Sequence, residues 1–113
     1  AFVEAERAGI SPTIFGSGEQ FRDFTYVKNA VYANILAANS EGNFCGEALN
    51  IGMGGTLSVN DLCKIICSRK PEYLPGRPGD VFSSMACIKK AQSKIGYKPR
   101  WTFESGLEET LIY

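Results

Sequence analysis

Apolar and polar positions along the chain predict short strands that alternate with helices. Residues 1–8 are good helix formers, and the apolar run at residues 13–15 is typical of a strand. Glycines at both ends of residues 16–18 permit a backbone turn that other residues adopt poorly. Charged or polar residues alternate with aromatic ones over residues 22–27, which predicts a half-buried strand.

A helical period follows in the middle of the chain. Val31, Ile35 and Ala38 fall on one helix face, and residues 47–51 predict a further short strand. Ser58 and the acidic residue three positions later form a variant capping box, which predicts a helix start. The apolar positions of that helix recur at Val59, Leu62, Cys63, Ile66 and Cys67.

The last third of the chain predicts two helices after a loop. Prolines and glycines make residues 75–80 a loop, with extended pieces at residues 73–74 and 81–86. A helix over residues 88–95 follows, and Thr102 caps a final one. The sequence therefore predicts an α/β fold, a small mixed lobe of short strands and about four to five helices.

Composition limits the class of protein. The chain has 113 residues, enough for one domain, with 44% hydrophobic and 21% charged residues. Its formal net charge is zero and it has no basic run, which argues against nucleic acid and anionic membrane as partners. No apolar stretch has the length of a membrane span and no signal-peptide pattern opens the chain, so we expect a cytoplasmic protein.

The four cysteines at positions 45, 63, 67 and 87 show no Cys-x-x-Cys spacing, and the sequence has no histidine. We therefore expect buried free thiols in a reducing compartment, with no metal site and no disulfide. The lack of histidine also removes the commonest general base, which disfavours hydrolase chemistry.

The glycine turn and the alternating segment after it contain the first candidate chemistry. Arg22 follows the turn among aromatic residues, and its planar guanidinium suits a phosphate group. This predicts a site for an anionic ligand with a flat ring. The structural alternative is a surface ion pair between Arg22 and Asp23.

Six motifs, in order along the chain, carry a family resemblance. They are Pro12-Thr13-Ile14-Phe15-Gly16-x-Gly18-x-Gln20-x-Arg22-Asp23-Phe24-x-Tyr26-Val27, Leu49-Asn50-Ile51-Gly52, Ser58-Val59, Arg77-Pro78-Gly79-Asp80, Lys90-Ala91 and Gly96-Tyr97-x-Pro99. Together they resemble the C-terminal, substrate-binding lobe of the extended short-chain dehydrogenase/reductases that act on nucleotide sugars. UDP-glucose and UDP-N-acetylglucosamine 4-epimerases are the most similar members, and the resemblance covers nearly the whole of residues 1–113.

The resemblance implies roles for eight residues. Arg22 and Arg77 match the arginines that hold the diphosphate, and Asp80 matches the carboxylate that accepts hydrogen bonds from the ribose. The backbone of Thr13 and Phe15 matches the strand edge that reads the pyrimidine. The side chains that match the lining of this pocket are Phe24 and Val59.

Each role has a structural alternative, in which Arg77 is solvated, Asp80 is a turn residue and Val59 belongs to the core. The eighth residue, Ser84, matches a position beside the sugar's C2 substituent. A small side chain there implies that UDP-N-acetylhexosamines are tolerated as well as UDP-hexoses.

Some residues depart from the family pattern. Cys87 stands at the cap of a helix where aspartate is usual, which we expect to cost about 1 kcal/mol. Lys28 and Asn29 stand where an acidic pair is common. These departures concern the subfamily rather than the family.

The resemblance also implies parts that this sequence lacks. The family's catalysis uses NAD, bound by an N-terminal dinucleotide domain, and a Tyr-x-x-x-Lys pair; the sequence contains neither the glycine fingerprint nor the pair. We therefore expect a fragment of a longer, homodimeric enzyme, inactive alone and prone to self-association through an exposed apolar surface. The alternatives are the same lobe of a 4,6-dehydratase or decarboxylase, or a non-catalytic nucleotide-sugar binding module.

Overall fold

The structure is a computed structural model, which describes residues 1–112. Within these residues the chain forms five helices and five short strands. In chain order they are α1 (Phe2–Ala8), β1 (Thr13–Phe15), β2 (Phe21–Arg22), α2 (Val27–Asn39), β3 (Leu57–Ser58), α3 (Val59–Ile66), β4 (Glu72–Leu74), β5 (Ser83–Ser84), α4 (Lys89–Ile95) and α5 (Phe103–Ile112). None of these helices has the length and apolar character that a bilayer crossing requires. The mixed α/β prediction is confirmed.

The chain divides into two compact units. The first unit comprises Ala1–Arg22 and Thr56–Ser84, and the second comprises Asp23–Gly55 and Met85–Tyr113. All five strands belong to the first unit. There β1 pairs in parallel with β4, and β2 lies between antiparallel β3 and parallel β5.

Helix termini in the first unit follow the sequence closely. Gly9 ends α1 in the left-handed conformation, with φ of 66°, and its N–H bonds to the carbonyl of Glu6 at 3.1 Å. Ser58 caps α3 by accepting a hydrogen bond from the Asp61 N–H at 3.0 Å, and its own hydroxyl donates to the Asp61 carboxylate. Cys63, on the inner face of α3, is buried.

The second unit contains a small core around α2 and α4. Ala33, Ala91, Ile95 and Tyr97 are buried together, and the Tyr97 hydroxyl donates to the carbonyl of Gly52 at 3.0 Å. Burial raises the pKa of Tyr97. Because the phenol has a partner, this large ring is buried without an unpaired polar group.

Two predicted strands are wrong. The alternating segment forms a strand only at Phe21–Arg22, and α2 begins at Val27. Residues 47–51 form no strand. In the first of these segments, the Asp23 carboxylate makes contacts that a local pattern does not reveal. It accepts hydrogen bonds from the N–H groups of Met53 and Gly54, at 2.9 and 3.0 Å.

The face of α2 that turns toward the core also differs from the prediction. Val31 and Ile35 are about half exposed, at 51% and 53%, whereas Asn29 and Ala33 are buried. Asn29 is satisfied because its Oδ1 accepts the N–H groups of Arg100 and Trp101 at 2.8 and 3.1 Å. The amide therefore directs a different stripe of the helix inward.

The cysteines and the cap of α4 require two further corrections. All four thiols are free, but Cys45 and Cys87 are exposed rather than buried. The N-cap residue of α4 is Ile88, one position after the predicted Cys87, and no side chain caps this helix. The resemblance had identified the correct region and misplaced the cap by one residue.

Candidate functional site

The turn after β1 is fixed by the start of α3. Gly16 and Gly18 have φ of 78° and 75°, a conformation that favours glycine. A Cβ atom on Gly18 would lie 1.9 Å from the side-chain oxygen of Asn60. The backbone N–H of Asn60 donates to the Gly18 carbonyl at 2.9 Å, and its side-chain amide donates to the Ser17 carbonyl at 3.1 Å. The turn is thus held in one position against the helix.

A cavity of about 420 Å³ lies in the first unit, beside this turn. It is lined by Thr13, Ile14, Phe15, Gln20, Arg22, Val59, Arg77, Pro78, Gly79 and Asp80. Six of the eight residues predicted for the site, all except Phe24 and Ser84, are in this lining. The lining combines two guanidinium groups with one carboxylate.

Arg22 is held on the cavity wall by two hydrogen bonds. Its Nη2 donates to Oδ1 of Asp80 at 2.6 Å, and its Nη1 donates to the Phe21 carbonyl at 2.7 Å. The side chains of Arg22 and Asp80 are 28% and 39% exposed. Since a guanidinium carries five N–H groups, Arg22 keeps further donors for a ligand. The predicted alternative partner of Arg22, Asp23, instead bonds to backbone N–H groups.

Arg77 reaches the same cavity from the loop between β4 and β5. Its guanidinium carbon lies 3.9 Å from the centroid of the Phe15 ring, a cation–π contact. The Asp80 N–H donates to the Arg77 carbonyl at 3.2 Å, which closes the Arg77–Asp80 turn. Phe15 therefore supports one of the two arginines with its ring and lines the cavity as well.

The edge of β1 that faces away from β4 pairs with no other strand in residues 1–112, and we call it the open edge. The Glu72 N–H bonds to the Pro12 carbonyl, and the Gly16 N–H bonds to the Leu74 carbonyl, so even-numbered residues of this segment face β4. Successive residues of a strand point their backbone groups to opposite sides. The N–H and C=O groups of Thr13 and Phe15 therefore point away from β4.

The two remaining predicted site residues, Ser84 and Phe24, are not among the residues that line the cavity. Ser84 is exposed on β5 and pairs in register with Arg22 of β2. Phe24 belongs to the second unit, where its ring centroid is 6.4 Å from that of Phe103. Their predicted roles in ligand binding stay predictions.

Asp23 and Gln20 are the residues whose importance the sequence reasoning missed. In the second unit, the Asp23 carboxylate accepts bonds from the Met53, Gly54 and Ala86 N–H groups, so it joins three segments. Gln20 lines the cavity and its Nε2 donates to the Phe15 carbonyl at 2.8 Å. Both stand in the first motif, but only the folded chain shows what they contact.

Known proteins resemble this chain in sequence and in fold. The sequence profile described as the NAD dependent epimerase/dehydratase family matches residues 1–52. The UDP-glucose 4-epimerase of Mycolicibacterium smegmatis is 30% identical over an alignment that covers 99% of this chain and 37% of that protein. The solved UDP-glucose 4-epimerase of Thermotoga maritima, with UDP-glucose, is 38% identical, with a TM-score of 0.90 over 99% of this chain and 37% of that one.

The chain belongs to the NAD-dependent epimerase/dehydratase family. A third relative is the solved UDP-N-acetylglucosamine 4-epimerase of Methanobrevibacter ruminantium, in complex with UDP-N-acetylmuramic acid. It is 40% identical, with a TM-score of 0.82 over 97% of this chain and 35% of that one. The chain thus spans little more than a third of the length of these family members.

Proposed function

We propose that the chain is the UDP-sugar binding part of an NAD-dependent UDP-hexose 4-epimerase, which interconverts UDP-glucose and UDP-galactose. The observation that carries this proposal is that Arg22 and Arg77, from separate segments, line the same cavity. Two guanidinium groups suit a diphosphate because charge-assisted hydrogen bonds to phosphate oxygens are strong and directional. In this proposal residues 1–113 form the nucleotide-sugar binding lobe.

The rest of the cavity suits the nucleoside half of the ligand. The open edge of β1 offers backbone donors and acceptors at Thr13 and Phe15, and Val59 adds apolar surface. Asp80 accepts hydrogen bonds from ribose hydroxyls in the bound state. The volume of about 420 Å³ is in the range of small-molecule sites, about 300–1,000 Å³.

The chain's own contribution to the reaction is binding and positioning. NAD, when bound to the complete enzyme, accepts and returns the hydride. We assign one pyrophosphate and one base to this cavity. Because the sequence lacks a dinucleotide fingerprint, we assign NAD to another part of the enzyme. Residues that hold the UDP group far from the reacting carbon use binding energy to orient the sugar.

The test of this function is titration of the 113-residue chain with UDP, followed by backbone amide chemical shifts. We expect the largest shifts at Phe15, Arg22, Val59 and Arg77. Arg22→Ala and Arg77→Ala should each weaken binding about tenfold, because each removes charged hydrogen bonds. Arg69→Ala is the matched control, since Arg69 is exposed in the same unit and is not in the cavity lining. A well-folded chain that gave no shifts would contradict the proposal.

The sugar is a finer part of the proposal. The small side chain of Ser84 supports tolerance of UDP-N-acetylhexosamines, as does the likeness to a UDP-N-acetylglucosamine 4-epimerase. We expect UDP-glucose and UDP-N-acetylglucosamine to bind within about tenfold of each other, a difference of about 1.4 kcal/mol. A preference above about a hundredfold for the plain hexose, or about 2.7 kcal/mol, would refute this role of Ser84.

A second candidate is the same lobe of a nucleotide-sugar 4,6-dehydratase or decarboxylase, since the family description includes dehydratases. A non-catalytic binding module is the third. In every case we expect the 113-residue chain with added NAD to leave UDP-galactose unchanged. Conversion by this chain alone would show that the catalytic groups are here and not in a further domain. The proposed enzyme is a homodimer, as the resemblance implies, and it is cytoplasmic, as the free thiols favour.

A further inference from the structure

The side chain of Gln20 is fixed at the open edge of β1. Its Nε2 donates to the Phe15 carbonyl at 2.8 Å, while its backbone carbonyl accepts from the Val59 N–H at 3.1 Å. Because a carbonyl only accepts, the nitrogen of the carboxamide must face Phe15. Gln20 and Phe15 both line the cavity. The side chain is therefore anchored beside the backbone groups that a base would meet.

The anchor leaves one hydrogen of the carboxamide for a ligand. An amide NH₂ has two donors, and the structure shows one hydrogen bond from it within the part of the chain it describes, to Phe15. Phe15 contributes its own N–H donor and the second lone pair of its carbonyl on the open edge. The three groups form a set of donor, acceptor and donor.

We infer that Gln20 is a specificity-determining residue, which donates a hydrogen bond to the pyrimidine and selects a 2,4-dioxopyrimidine over cytosine. This inference rests on the proposed function. The hydrogen-bonding edge of uracil reads acceptor, donor, acceptor, which complements the set at Phe15 and Gln20. Cytosine presents an exocyclic NH₂ and an unprotonated ring nitrogen instead, so two of its three groups would oppose like groups. The selection requires only a fixed donor, which the contact with Phe15 provides.

The test compares UDP, CDP and inorganic pyrophosphate as ligands of the 113-residue chain and of Gln20→Met. Methionine keeps the length of the side chain and removes both donors. We expect the wild-type chain to prefer UDP to CDP, and Gln20→Met to lose about fivefold of that preference. Affinity for pyrophosphate should stay within about twofold, because pyrophosphate lacks the base to which the side chain donates.

Gln92→Met is the matched control, since Gln92 is exposed on α4 in the second unit. It should leave all three affinities unchanged. A Gln20→Met chain that kept the wild-type ratio of UDP to CDP affinity would overturn the inference. So would a wild-type chain that bound pyrophosphate but did not distinguish UDP from CDP, and this result would leave the diphosphate site standing. A chain that bound neither UDP nor pyrophosphate would instead overturn the proposed function, and this inference with it.

A second measurement needs no variant. The side-chain NH₂ signals of Gln20 in the wild-type chain should shift when UDP is added and shift much less with CDP. A purely structural role predicts similar small shifts with both nucleotides. Equal responses would therefore overturn the inference even if Gln20→Met failed to fold.

Discussion

Arg22 and Asp80 meet across the cavity wall, with Nη2 of the arginine 2.6 Å from Oδ1 of the carboxylate. The carboxylate thus uses one of the N–H donors of the guanidinium that is proposed to hold the diphosphate. Its negative charge also opposes a second anion at the same place. Asp80 therefore has two proposed roles, as the ion-pair partner of Arg22 and as an acceptor for ribose hydroxyls. A ligand without a ribose tests the first role alone.

Asp80→Asn should raise the affinity for inorganic pyrophosphate about threefold, because an exposed ion pair is worth about 0.2–1 kcal/mol. Affinity for UDP should rise less or fall, since an amide accepts the ribose hydroxyl bonds more weakly than a carboxylate does. Calorimetric titration with both ligands measures the two effects. Equal changes for pyrophosphate and UDP would argue against a ribose contact.

Asn29 is fully buried, and a carboxylate should not replace it. Its Oδ1 accepts two N–H groups, while its Nδ2 donates to the Trp101 carbonyl at 2.8 Å. In Asn29→Asp an ionised oxygen would face that carbonyl with no hydrogen between them. We expect the free energy of unfolding, measured in urea, to fall by about 1–3 kcal/mol. The exposed Asn34→Asp, in the same helix, should change it by less than about 0.5 kcal/mol.

The ends of helices could be predicted best, because a few neighbouring residues decide where a helix begins or stops. Ser58 marks a helix start as predicted, and Thr102, the other predicted cap, accepts the Ser105 N–H at the start of α5. Gly9 and Gly96 end α1 and α4 in the left-handed conformation that favours glycine. Capping involves only a few neighbouring residues, so the sequence contains the whole signal.

The inward face of α2 could not be predicted in this way. An apolar stripe through Val31 and Ile35 suggested the buried side, but Asn29 is buried because its partners arrive about seventy residues later. The same limit applies to Asp23, whose backbone partners lie in two distant segments. A periodic pattern shows which faces a helix has, and long-range hydrogen bonds decide which one turns inward.

In the candidate site, too, the sequence predicts some features, and others depend on long-range contacts. Arg22 and Arg77 were chosen from motifs that recognise a family, and the structure brings both to one cavity. The orientation of Gln20 depends on the fold of the glycine turn against Asn60, which no spacing in the sequence describes.

The exposed stripe on α2 predicts self-association of the isolated chain. Val27, Val31 and Ile35 follow one another at intervals of four residues and are each more than half exposed. We expect sedimentation to show reversible association as concentration rises, through contact of this stripe with a second copy. The double variant Val31→Lys and Ile35→Lys should be monomeric and should keep its affinity for UDP. Gln92→Lys, at an exposed position of α4 and therefore outside the stripe, should still associate.

Acid should weaken the attachment of α5 through Glu109. Its carboxylate accepts hydrogen bonds from Lys28 and from the Tyr26 hydroxyl, and these bonds lower the pKa of Glu109. A carboxyl group whose pKa is lower in the folded state stabilises that state above its unfolded pKa, and the contribution disappears as pH falls through the folded pKa. Urea midpoints measured from neutral pH to pH 2 should therefore fall less steeply for Glu109→Gln than for the wild type. An unchanged slope for Glu109→Gln would contradict this prediction.

Gly52 lies at a crowded point of the second unit, where a Cβ atom would collide with two neighbouring groups. A Cβ atom there would lie 2.6 Å from Cβ of Ala86 and 2.7 Å from Oδ2 of Asp23. Gly52→Ala must therefore displace either the chain at Ala86 or the carboxylate that joins three segments, and we expect it to cost about 1–3 kcal/mol in urea unfolding. Gly55→Ala is the control, because no other part of the chain described by the structure lies within 4 Å of its Cβ position, and it should change stability by less than about 1 kcal/mol. Equal effects of the two substitutions would show that the crowding at Gly52 is relieved at little cost.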